Sequence, residues 1–209
     1  MFGSRPRPAA VSLALLISAL LAAFFAAHAS GAVRLEETSG FESSLYSSSS
    51  SGKSASLTIT RPAGVQPGDV MLAGVTARLS SSGRITAPNG WTQIRRDSNI
   101  GGTALTQALY YKVADSSDFG PFTWRFSSVT GVAGGIVAFH GVDPNAPVRA
   151  SSGLFQANSR LIAAPGLTTT EGDMPVVGFY AASSRIVISS PSGMVEEYGV
   201  MNDSGASFP

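Results

Sequence analysis

From residue 54 onward, the sequence consists of short segments rich in β-branched and aromatic residues, separated by Pro-Gly, Asn-Gly, Gly-Gly, Asp-Pro and Ser-Gly pairs. These pairs favour turns, because glycine, proline and Asx residues supply the backbone angles and local hydrogen bonds that turns need. None of the segments has the 3.6-residue apolar spacing of an amphipathic helix. Many short strands without helices predict an all-β fold, an antiparallel β-sandwich of jelly-roll type. The predicted strands span residues 54–60, 69–78, 90–96, 103–114, 121–127, 131–141, 174–182, 185–189 and 194–200.

Alternation within one segment identifies residues of the expected core. Phe122, Trp124 and Phe126 alternate with Thr123 and Arg125. Successive side chains on a strand point to opposite faces, so the three aromatic residues share one face. This pattern is typical of a strand with one buried side, and it places Trp124 in the core.

Residues 1–29 have the pattern of a secretory signal peptide. Arg5 and Arg7 precede an uncharged apolar run, which ends in an Ala-His-Ala site. Cleavage is expected after Ala29 or after Ala32. The alternative is an uncleaved membrane anchor, because the run approaches the roughly 20 apolar residues that span a bilayer. Both interpretations predict a secreted, extracellular or cell-surface protein.

The exported part of the chain is expected to contain one folded domain. Residues 30–53 are interpreted as a serine-rich leader, because a run such as Ser47–Ser51 cannot bury apolar surface. Residues 54–209 are predicted to form the sandwich. The sequence contains no cysteine, so an exported domain would depend on its core and backbone pairing rather than on disulfides.

The charge balance excludes one class of partner. Loss of Arg5 and Arg7 with the leader would reduce the 14 basic residues to 12, against 13 acidic residues. A nearly neutral chain exerts no long-range attraction on nucleic acid or anionic lipid. We therefore expect no nucleic-acid partner, and membrane contact only through the N-terminal segment if it remains uncleaved.

Residues suited to catalysis are scarce. His140 is the only histidine after residue 29, and no Gly-x-Ser-x-Gly motif supplies a serine on a strained turn. The sequence therefore predicts a protein that is not an enzyme, with no catalytic residue and no cofactor; a hydrolase that uses His140 is an alternative. No Asp-x-Asp-x-Asp-Gly calcium loop is present, which leaves Asp115 and Asp118 as weak candidate calcium ligands.

Aromatic residues form the better candidate site. Trp91, Tyr110 and Tyr111, with Arg95 nearby in sequence, could contact a sugar ring. By parity, Trp91 shares a strand face with Arg95, and only one of the two tyrosines can point inward. Because Trp91 follows a Pro-Asn-Gly turn, we favour a position at the edge of the core, where it covers one end of the sandwich. An exposed platform for carbohydrate is the alternative.

Several segments together resemble a known module. They are PGDVMLAGVTAR (67–78), ITAPNGWTQIRRD (85–97), LTQALYYKVA (105–114), FTWRFSS (122–128), AGGIVAFHGVD (133–143) with a later Pro-Val, and GDMPVVGFYAA (172–182) with SPSGM (190–194). Over residues 57–198 the chain resembles a β-sandwich module that recurs in secreted and surface proteins of actinobacteria and related bacteria, and in some phage structural proteins. The resemblance implies a β-sandwich without assigned catalytic residues. Such modules continue into a closing apolar strand, so this chain is expected to lack its last strand.

These observations predict a non-enzymatic structural or adhesive module of a secreted or cell-surface protein. Its contacts would come from loop tips, because a rigid sandwich presents loops at its ends. The candidate loops are residues 79–83, 97–103 and 115–120. The expected partners are cell-surface glycans or other extracellular modules, and a carbohydrate-binding module that uses Trp91 and a tyrosine is the alternative function.

Overall fold

The structure is a computed structural model, and it describes residues 34–38, 54–99, 104–156, 162–168, 176–183, 191–192, 194 and 198–200. All of them belong to one compact unit, Val33–Pro209. The described residues contain eight strands and no helix. The strands are β1 (Arg34–Thr38), β2 (Ser54–Ile59), β3 (Val70–Ala77), β4 (Ile85–Thr86), β5 (Thr92–Ser98), β6 (Thr106–Val113), β7 (Phe122–Thr130) and β8 (Val132–His140).

The strands form two antiparallel sheets, which confirms the predicted all-β sandwich. The larger sheet has the order β1-β8-β3-β6-β5, and the smaller has the order β2-β7-β4. The antiparallel pairs β1–β8, β2–β7 and β3–β6 nest inside one another along the chain. Nested pairs that alternate between two sheets give the jelly-roll arrangement. These three pairs are complete within residues 34–140.

Strand β1 lies within the range that the sequence assigned to the serine-rich leader. It pairs with β8, so that Arg34 lies opposite His140 and Leu35 opposite Phe139. Leu35 is the only apolar residue of this strand, so alternation could not predict it. The pairing with β8 therefore depends on tertiary structure.

The core lies between the two sheets and follows the alternation of their strands. In β3, Met71, Ala73 and Val75 point inward, and all three are buried. The smaller sheet contributes Leu57 and Trp124, which are also fully buried. Burial of a large apolar side chain stabilises a fold by about 1.5–3 kcal/mol relative to exposure. The core position predicted for Trp124 is confirmed.

The opposite face of the larger sheet is also apolar, and the chain after β8 contacts it. Gly74 of β3 lies opposite Gly135 of β8 on this face, and a Cβ at Gly74 would overlap the ring of Phe179. The phenol of Tyr198 approaches the same pair. Desolvation raises its pKa, and a hydrogen bond with the backbone of Gly135 opposes that rise.

The strand predicted over 174–182 is not found in its described residues, 176–182. The apolar residues that suggested a strand include Phe179, which packs against the face of the larger sheet at Gly74. Apolar periodicity indicates which residues are buried, and packing against a sheet buries them without pairing as a further strand. The predicted strand 185–189 lies outside the described residues. In the predicted strand 194–200, the described residues 194 and 198–200 form no strand.

Replacement of Gly74 by alanine is expected to lower the free energy of unfolding by about 1–3 kcal/mol, because the new methyl group must displace the Phe179 ring. Guanidinium denaturation followed by circular dichroism would measure the change. Gly166→Ala is the matched control, since a Cβ at Gly166 meets no atom within 4 Å. Equal stability of Gly74→Ala and wild type would show that Phe179 does not pack in this position.

Candidate functional site

One end of the sandwich gathers charged side chains, and we call it the charged end. It is defined by Asp69, Lys112, Asp115, Asp118 and His140. Strands β3 and β7 begin here, and β6 and β8 end here. Two backbone hydrogen bonds close this end. The N–H of Ala114 donates to the main-chain carbonyl of Asp69 over 2.8 Å, and the N–H of Gly68 donates to the main-chain carbonyl of Ala114 over 2.8 Å.

Lys112 points toward the interior, because the alternation of β6 continues to the end of the strand. Ala108 and Tyr110 face the core, and Lys112 is the next residue on that face. Its Nζ lies 3.2 Å from Oδ1 of Asp118 and 3.4 Å from Oδ2 of Asp115. The side chains of Lys112 and Asp118 are each only 10% exposed. A mostly buried ammonium group requires such partners, because unpaired burial of a charge is costly.

The loop after β6 is held by hydrogen bonds of its two aspartates. Oδ2 of Asp118 accepts the N–H of Asp115 over 2.8 Å. Oδ1 of Asp115 accepts the N–H of Ser117 over 2.7 Å, and also its hydroxyl. Hydrogen bonds of this kind, in which an Asx side chain bonds a backbone N–H two residues ahead, stabilise turns. The loop therefore has a defined shape.

Asp115 and Asp118 were the candidate calcium ligands, and the structure does bring them together. The cation between them is the ammonium group of Lys112. Within the part of the chain that the structure describes, no group of three or more His, Cys, Asp or Glu side chains is placed to hold a metal ion. The Lys112 ammonium group lies between these two weak candidate ligands because β6 directs the lysine inward.

His140 and Asp69 form a second hydrogen-bonded pair at the charged end. Nδ1 of His140 lies 2.8 Å from Oδ1 of Asp69, and Oδ2 of Asp69 accepts the N–H of Gln66 over 2.7 Å. Asp69 is 2% exposed, whereas the imidazole is 57% exposed. A carboxylate oxygen accepts hydrogen bonds, so Nδ1 is the donor in this contact. Among the described residues, no serine or threonine hydroxyl is hydrogen-bonded to this ring, and the hydrolase alternative stays a prediction.

Trp91 covers the core at its edge, as the sequence predicted. It is 8% exposed. Its ring centroid lies 5.1 Å from that of Phe122 and 5.2 Å from that of Trp124, in edge-to-face geometry. Such aromatic pairs add about 0.5–1.5 kcal/mol beyond the burial of their area. The Trp91 ring therefore offers little surface to a sugar.

The two tyrosines point to opposite faces, again as predicted. Tyr110 is buried, 6.2 Å from the ring centroid of Trp124. Burial raises the pKa of the Tyr110 phenol, and the charge of Arg96 opposes that rise. Tyr111 lies on the outer face of the larger sheet, opposite Thr92. The candidate aromatic residues consequently form no common platform.

Arg95 does not share a face with Trp91, contrary to the parity argument. The β5–β6 register shifts between Gln93 and Arg95, so that Arg95 lies opposite Leu109 on the outer face. A β-bulge inserts one residue and reverses the facing of the residues beyond it. Arg95 instead makes two 2.7 Å hydrogen bonds to Asp97.

Sequence reasoning missed both side-chain pairs of the charged end. The signal for Lys112 was present, since it continues the inward alternation of Ala108 and Tyr110. The signal for the other pair was absent, because Asp69 and His140 lie 71 residues apart in sequence. Only the alignment of β3 with β8 brings them together.

Comparisons with known proteins identify no relative: no family model, no curated protein and no solved structure matches this chain. The resemblance noted from the sequence segments therefore stays a prediction. Among the described residues, no helix is long and apolar enough to cross a bilayer.

Both tryptophans are expected to emit at short wavelength and to resist acrylamide quenching in the folded protein, because both are buried. Guanidinium should shift the emission to longer wavelength and expose both rings. Trp124→Phe leaves Trp91 as the sole tryptophan and isolates its signal. A red-shifted, readily quenched Trp91 in this folded variant would contradict the buried position.

The Asp115 carboxyl is expected to titrate at lower pH than an ordinary aspartate. First the hydroxyl of Ser117 and then its backbone N–H hold the pKa of Asp115 below its usual value. The ionised Asp115 carboxylate therefore stabilises the folded state through these hydrogen bonds. This contribution is present above the unfolded-state pKa, about 3.9, and is lost as pH falls through the lower folded-state pKa. Carbon-13 NMR titration should show Ser117→Ala raising the midpoint, whereas Ser116→Ala should leave it unchanged. An unchanged midpoint in Ser117→Ala would refute this assignment.

Proposed function

We propose that this protein is a non-enzymatic, extracellular β-sandwich module with a structural or adhesive role, and that it makes contact through loop 115–120. The observation that carries this proposal is Phe119, which is 84% exposed on a loop held in shape by buried charges. A large apolar side chain fixed in solvent is suited to a partner's pocket, because aromatic residues often anchor interfaces.

The loop is braced from several directions. The contacts of Lys112 fix its base, and a Cβ at Gly120 would lie 2.9 Å from Cβ of Arg61, in the turn after β2. A loop already ordered before binding loses less conformational entropy when it binds. This rigidity supports a contact role for the Phe119 tip.

Loop 79–83 presents less apolar surface than loop 115–120. In loop 79–83, Leu79 is buried, and Arg96 donates to the carbonyls of Ser81 and Gly83. Loop 97–103 lies partly outside the described residues. Loop 115–120 is thus the best supported of the three predicted contact loops.

The alternative of a carbohydrate-binding module finds less support. It required Trp91 and a tyrosine on an accessible surface, but Trp91 and Tyr110 are buried, and Tyr111 and Arg95 face the other side of the larger sheet. A glycan contact remains compatible with the proposal if Phe119 makes it. Export rests on the signal-peptide pattern of residues 1–29.

Binding of the purified protein to a glycan array, and clustering of microspheres coated with it, would test the proposal. Phe119→Ala should abolish most of the binding or clustering. Val129→Ala is the matched control, because Val129 is 59% exposed near the opposite end of β7, and it should retain wild-type behaviour. Absence of both activities in wild type, or equal activity in both variants, would contradict the adhesive role of this loop.

A further inference from the structure

Lys112 and Asp118 bring together an amine and a carboxyl group, the two groups that condense to form an amide. Its amine lies 3.2 Å from a carboxyl oxygen of Asp118, and both side chains are mostly buried. Gly90, in the turn before Trp91, encloses the amine from the other side: a Cβ there would lie 2.5 Å from Nζ. The reacting groups are therefore held together in a confined space, and such positioning accelerates intramolecular reactions greatly.

We propose that Lys112 and Asp118 become joined by an amide cross-link after the protein folds. The ammonium group first transfers one proton to Asp118, so that a neutral amine faces a neutral carboxylic acid. Nζ then attacks Cγ of Asp118, a C–N bond forms, and the bond from Cγ to Oδ1 breaks. A second amine proton moves to the departing hydroxyl, and one water leaves. The reaction consumes no oxidant or other reactant.

The first step takes place between two groups in direct contact, Nζ of Lys112 and Oδ1 of Asp118. The 10% exposure of each side chain places this proton transfer largely away from solvent. The same confinement limits hydrolysis of the amide by water.

Asp115 supplies two groups for the second step. Its N–H donates to Oδ2 of Asp118 over 2.8 Å, so it can stabilise the negative charge that develops on this oxygen. Its Oδ2 lies 3.4 Å from the attacking nitrogen and can carry the amine proton to the leaving hydroxyl. In Asp118, the bond from Cγ to Oδ2 is retained, and Oδ1, which lies beside Lys112, leaves as water.

The cross-link would hold the loop after β6 in place covalently. The chain contains no cysteine, so this amide would provide a covalent closure that disulfides cannot. It would tie the end of β6 to the residue preceding Phe119. Formation of the cross-link is independent of any partner for Phe119, because only groups of this chain react.

Mass spectrometry of the folded, purified protein after tryptic digestion tests the proposal. Trypsin cleaves after free lysine, and Lys112 lies between Arg96 and Arg125. We expect one peptide, 97–125, lighter than its sequence by one water, with no cleavage after Lys112. Fragmentation should locate the link between Lys112 and Asp118.

Two variants separate the chemistry from folding. Lys112→Arg keeps the positive charge and should show full mass, with cleavage after residue 112. Asp143→Asn alters an exposed aspartate outside the cluster and should retain the water loss. Full mass in the wild-type peptide, or a lost water with normal cleavage after Lys112, as an aspartyl succinimide would give, would overturn the proposal.

Discussion

The edge-to-face contact of Trp91, Phe122 and Trp124 is the interaction on which the rest of the sandwich depends. Trp124 belongs to the smaller sheet, and Trp91 lies just before β5 of the larger one. Their rings bridge the two layers where the core meets the charged end. Because the chain has no disulfide, this apolar contact and the two ladders must hold the layers together.

The same packing determines the chemistry of the charged end. Once Tyr110 points toward Trp124, the two-residue period of β6 obliges Lys112 to point inward as well. A lysine directed inward must be neutralised, and the loop after β6 supplies Asp115 and Asp118 within reach. Core packing therefore directs Lys112 inward, its ion pairs hold the loop after β6, and that loop carries the exposed Phe119.

The larger sheet has apolar residues on both faces, so it needs a cover on the side away from the smaller sheet. The glycine pair of Gly74 and Gly135 leaves room there, and the ring of Phe179 fills it. This arrangement explains why residues 176–182 resembled a strand. Phe179 requires burial, and it obtains burial by packing against the sheet.

The sequence by itself determined the fold class, most strand positions, the core role of Trp124 and the opposite facing of the two tyrosines, because these depend on local turn chemistry and a two-residue period. Only the tertiary structure decided that β1 joins the sheet, that a bulge turns Arg95 away from Trp91, and that Asp69 meets His140. Each of these depends on register between distant segments, and no local pattern specifies which residues will lie opposite each other across a sheet.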